Sequence, residues 1–80
     1  GLDMKITYTA ILNGEAVGTR DSVRCYTHAV LTVDAEGAAK LSSFHNGLEQ
    51  AQRERHTLQV NGHRAVLADD VDARSPLSFF

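Results

Sequence analysis

Tryptophan is absent from this 80-residue chain, and cysteine, methionine and proline each occur once. The single cysteine, Cys25, excludes an internal disulfide framework and a cysteine-cluster zinc site. No window approaches 18 consecutive apolar residues, so no membrane-spanning helix is expected. The first residues show no basic-then-apolar run, so no secretory signal is expected. Aromatics amount to Tyr8, Tyr26, Phe44, Phe79 and Phe80, too few for a base-stacking platform. A formal net charge of −2 lacks the Lys and Arg surplus that bulk nucleic-acid binding requires.

What is present is a hydrophobic fraction of 42%, too high for wholesale disorder. A chain of this length makes one domain and buries about 60–65% of its unfolded surface. Gly1-Leu2-Asp3 precede Met4 and are set aside as a candidate expression scar, leaving residues 4–68 as the domain. From Met4 to Leu12 apolar and polar residues alternate, the period of a half-buried strand. Asn13-Gly14 then supplies the two residues that a tight hairpin turn needs, because both tolerate positive φ. With that turn Leu12 faces Glu15, Ala10 faces Val17 and Tyr8 faces Thr19. The returning strand runs to about Arg20, and Arg20–Arg24 reads as a loop.

Cys25 to Val33 alternates with both faces apolar or β-branched, which suits a central strand. The stretch from Asp34 to Arg55 reads in two ways. Ala38, Leu41, Phe44, Leu48 and Ala51 fit a helical stripe, but Gly37, Ser42, Ser43, Asn46 and Gly47 are weak helix formers. We therefore expect a turn at 34–37, a strand from about Ala38 to Phe44, and a helix from about Gly47 to Arg55. Asn46 and Glu49 would form a capping box for that helix. A second Asn-Gly hairpin is expected at Asn61-Gly62, between strands 57–60 and 63–68. Residues 69–80 carry Asp69, Asp70 and Asp72 and then an apolar stub, and are expected to be a poorly ordered tail. The order is β-β-β-β-α-β-β. An α+β fold follows, with one small, mainly antiparallel sheet and a short helix on one face. The other face would be solvated or covered by a second copy of the chain.

Residue patterns of catalysis are missing. The four histidines, His28, His45, His56 and His63, show no helical metal-ligand spacing and no paired His-x-Thr or His-x-Ser motifs, so no metal, cofactor or phosphoesterase site is expected. Phosphate-cradling glycine loops are missing too. Cys25 has Arg24 beside it, a neighbour that favours thiol reactivity; the alternative is a small buried hydrophobe. The densest polar stretch is Arg20 to His28. Arg20, Arg24, Tyr26 and His28 are residues that grip a carboxylate, a phosphate or an acidic patch. Arg53, Arg55 and Arg64 form a second basic group near the helix end, and Leu77, Phe79 and Phe80 are candidate contacts for a second copy.

The run Arg24-Cys25-Tyr26-Thr27-His28-Ala29-Val30 resembles an Arg-x-Tyr-Thr-His-Ala-Val motif in small actinobacteriophage proteins. Those proteins similarly open with a strand like Met4–Ala10 and carry a Ser-Phe-His segment before a short helix, here Ser43-Phe44-His45 and Leu48–Ala51. The resemblance, which also favours the strand at 38–44, spans about two-thirds of the chain. It implies an accessory phage protein, without assigned activity, in the cytoplasm of the bacterial host. We expect a non-enzymatic protein that binds a host protein. A nucleic-acid-binding regulator and a homo-oligomeric structural or assembly protein, down to a homodimer, are the alternatives. Taking residues 69–80 apart leaves six carboxylates against seven basic side chains from Met4 to Ala68, a body of about +1. That keeps nucleic acid as the runner-up.

Overall fold

A computed structural model describes residues 5–74 of the chain. The elements are β1 (Ile6–Leu12), β2 (Glu15–Ser22), β3 (His28–Val33), β4 (Ala39–His45), α1 (Leu48–Val60), β5 (Arg64–Leu67) and β6 (Asp70–Arg74). The expected α+β order is the observed one. The strands form two antiparallel three-stranded sheets, ordered β2-β1-β6 and β4-β3-β5, rather than one.

The central strand β3 explains the layering. Ala29 and Leu31 point into a core shared with Tyr8 and Ala10 of β1 and Phe44 of β4, so the two sheets pack face to face. Val30, on the opposite side, packs with Ala51 of α1 and Ala65 of β5, with Leu58 and Leu67 alongside. Leu31 and Val30 are fully buried, each contributing about 1.5–3 kcal/mol of hydrophobic stabilisation. The sheet face opposite the helix is thus covered by the chain's own first sheet. No second copy is needed to cover that face. No helix among the described residues is long and apolar enough to cross a membrane.

Both hairpins carry a bulge. In the first, Leu12 faces Glu15 as expected, but the register slips at Ala10/Ile11, so Ala10 faces Gly18 and Tyr8 faces Arg20. Val17 is the extra residue. Beyond it Gly18 comes so close to β4 that a Cβ there would lie 2.6 Å from Leu41 Cβ. The bulge therefore presents the one residue type that lets the sheets approach. In the second hairpin Ser42 is the extra residue, between the pairs Leu31–Leu41 and Val30–Ser43. A one-residue slip exchanges the faces of a strand. The Ser42 bulge therefore turns Phe44 into the core and sets His45 opposite His28.

Other expectations are corrected. β2 continues to Ser22, and β3 starts at His28 rather than Cys25, so the loop is Val23–Thr27. The helix does not stop at Arg55, and residues 57–60 are its last turn, not a strand. Leu48, Ala51 and Leu58 keep helical spacing across that boundary. The second Asn-Gly closes the helix: Gly62 N–H donates to Gln59 O and His63 N–H to Leu58 O, with Gly62 at φ +88°. The helix N-cap is Gly47 without a side-chain bond, so the Asn46 capping box does not form. Residues 70–74 are not a loose tail but strand β6, paired with β1. Val71 and Ala73 alternate with the acidic residues there, and Val71 packs against the core. Asp69 carries the chain between sheets: its N–H donates to Ile11 O, and its Oδ2 accepts from Asn13 N–H. Leu77, Phe79 and Phe80, like residues 1–3, lie outside the described residues.

Candidate functional site

The loop Val23–Thr27 lies at the end of the sandwich where β3 starts and β4 runs into α1. Aromatic packing holds it. Tyr26 stacks on Phe44 with ring centroids 5.5 Å apart and meets Tyr8 edge-on at 5.1 Å. Tyr8, buried in the core, donates its hydroxyl proton to Arg24 O at 2.6 Å. Arg24 N–H donates to Ser22 Oγ, and Thr27 N–H to His45 O. A segment without regular pairing is thereby fixed at its start, middle and end.

These contacts leave an open cleft of about 430 Å³, walled by Arg24, Cys25 and Tyr26 on one side and Phe44, His45 and Asn46 on the other. Arg24 and Cys25 are exposed and Tyr26 is half-buried. The reading of Cys25 as a buried hydrophobe is corrected, because the loop holds it outside β3. Exposed apolar surface lies close by in sequence on both walls: Val23 precedes Arg24, and Leu48 follows Asn46-Gly47. Arg20 sits on β2 opposite Tyr8, and His28 starts β3, its Nδ1 2.8 Å from Thr27 Oγ1. Neither Arg20 nor His28 lines the cleft, which holds Arg24 and Tyr26 of that stretch.

The second basic group does not join them. Arg64 pairs with Val33 at the far end of β3, about 17 Å from His28, in a separate depression with Asp34, Lys40 and His63. Arg53 and Arg55 are two positions apart on α1, roughly 200° around its axis, so they flank the helix on different sides. The ion pair found among the described residues is Arg74–Asp72 at 3.2 Å, which leaves Arg24 without a carboxylate partner there.

Sequence reasoning missed Tyr8, Phe44, His45 and Asn46 as parts of this site. Their signal lies in strand register, which the Ser42 bulge resets, and not in local spacing. Ser43 Oγ stands 2.7 Å from His45 Nε2, the approach of a hydroxyl nucleophile to its base. Ser43 nevertheless lies within strand β4, just after the Ser42 bulge, rather than on a strained turn. Among the described residues no group of three or more His, Cys, Asp or Glu side chains is placed to hold a metal ion. Comparison with family models, curated proteins and solved structures gave no match.

Proposed function

We propose that this chain is a non-enzymatic binding module, an accessory bacteriophage protein that engages a protein of its bacterial host in the cytoplasm. The phage setting follows from the resemblance of residues 24–30; the surface follows from the cleft. The observation that carries the reading is Arg24, exposed and without an ion-pair partner among the described residues, beside the Tyr26–Phe44 stack. Arginine and tyrosine at the centre of a patch are the usual energetic anchors of protein interfaces. The loop is already fastened by Tyr8 and Thr27, so binding would cost little ordering entropy. The complementary partner presents a carboxylate next to an apolar side chain, the first for Arg24 and the second for Tyr26 and Val23.

A nucleic-acid reading needs Arg20, Arg24, Arg53, Arg55 and Arg64 on one face, and they do not share one. The homo-oligomeric reading depends on Leu77, Phe79 and Phe80, outside the described residues. The deciding experiment is capture from actinobacterial lysate with the wild type, Arg24→Glu and Arg64→Glu. A recovered protein should bind Arg24→Glu at least about 10-fold more weakly and Arg64→Glu unchanged. Equal recovery by all three proteins, or none by the wild type, overturns the reading.

A further inference from the structure

Strand pairing sets His28 of β3 directly opposite His45 of β4, a juxtaposition that their distance in sequence conceals. Side chains opposed in this way have Cβ atoms about 4.5–5.5 Å apart, which allows two imidazoles to share one ion at roughly 2.0–2.1 Å. Both rings are half-buried, and a hydroxyl orients each. Thr27 Oγ1 is 2.8 Å from His28 Nδ1, and Ser43 Oγ is 2.7 Å from His45 Nε2. When the hydroxyl oxygen accepts the ring N–H, the lone pair lies on the opposite nitrogen. This is how ligating histidines are held in the tautomer they need. The opposite nitrogens, His28 Nε2 and His45 Nδ1, carry no hydrogen bond among the described residues.

We propose that His28 and His45 form a two-imidazole chelate for a divalent transition-metal ion, with His28 Nε2 and His45 Nδ1 as donors and water in the remaining positions. No third ligating side chain joins them among the described residues, so the ion is shared with solvent or with a partner's side chain. Nitrogen donors select copper(II), nickel(II) and zinc(II) in the order of their general affinity for imidazole, and reject magnesium and calcium, which prefer oxygen. Thr27 and Ser43 are positioning residues.

The test uses the untagged full chain titrated with zinc chloride and magnesium chloride while the imidazole C–H resonances are followed by NMR. Zinc should shift His28 and His45 and leave His56 and His63 in place; magnesium should move none. His28→Ala and His45→Ala should each weaken zinc binding about 100-fold, the loss expected when a linked pair becomes a single site. Thr27→Val and Ser43→Ala should weaken it about 10-fold. His56→Ala should leave it unchanged. Absence of a zinc response, equal shifts at all four histidines, or wild-type affinity in His28→Ala overturns the chelate. The wild-type resonances locate the ion even if a variant does not fold.

Discussion

The two ends of this sandwich are closed by different means. At one end lie the turns at Asn13-Gly14 and Asp34–Gly37 and the helix end at Asn61-Gly62. All the left-handed residues found among the described ones are there: Asn13, Gly14, Gly37 and Gly62, with φ between 53° and 88°. Asp34 adds to the closure, its Oδ1 accepting from Glu36 N–H and Ala38 N–H. At the other end Val23–Thr27 has no left-handed residue and is held by the Tyr8 hydroxyl and the aromatic trio. The first end is shaped by backbone conformation within a few residues, the second by side chains distant in sequence. A locally determined end is a rigid closure, and the end determined by long-range contacts carries the cleft.

Substitutions at each end put that contrast to the test. Tyr8→Ala should do the most damage, about 3–5 kcal/mol, because it empties a buried aromatic site and unfastens the loop. Urea unfolding measures it, and a loss below about 1 kcal/mol would show that the loop end does not rely on the aromatic trio. Gly62→Ala should cost about 1–2 kcal/mol through φ alone, since no atom lies within 4 Å of an added Cβ. Tyr8→Phe removes only the bond to Arg24 O and should cost about 1 kcal/mol. Hydrogen exchange should accelerate at Arg24 and Thr27 but not at Gly37, keeping the two ends separate. Arg24→Ala should change stability by less than about 0.5 kcal/mol, as an exposed side chain without an ion pair does. Its effect belongs in binding.

The same division governs how legible the structure is in the sequence. Asn13-Gly14, the turn at 34–37 and the twice-buried β3 are all marked by local residue types. Asn61-Gly62 was visible, but its role was not. Asn-Gly serves a hairpin when both residues have positive φ, as Asn13 and Gly14 do, and a helix end when only the glycine does. Asn61 has φ −86°, and the helical spacing of Ala51 and Leu58 decides the matter. The bulges at Val17 and Ser42 have no local signature, because the demands they meet are tertiary: Gly18 against Leu41, and Phe44 in the core. β6 was hidden by its aspartates, which dominate composition while Val71 does the packing. The site was half legible for these reasons. Arg24 and Tyr26 stand in a polar run, whereas His45 reaches the cleft only through a register set elsewhere.

Strand β1, Ile6-Thr7-Tyr8-Thr9-Ala10-Ile11-Leu12, carries no charge, proline or glycine, the composition of segments that assemble edge to edge between molecules. β2 protects one of its edges early, but the other is covered by β6, which lies roughly 60 residues further along and emerges some 3–12 s later at ~5–20 residues per second of synthesis. During that interval β1 is a half-finished edge. Once β6 docks, Asp70, Asp72 and Arg74 line the new border of the sheet, where charge discourages another chain from adding. The acidic strand is therefore a gatekeeper as well as a structural member, and a chain ending before Asp70 would lose solubility ahead of any loss at the cleft.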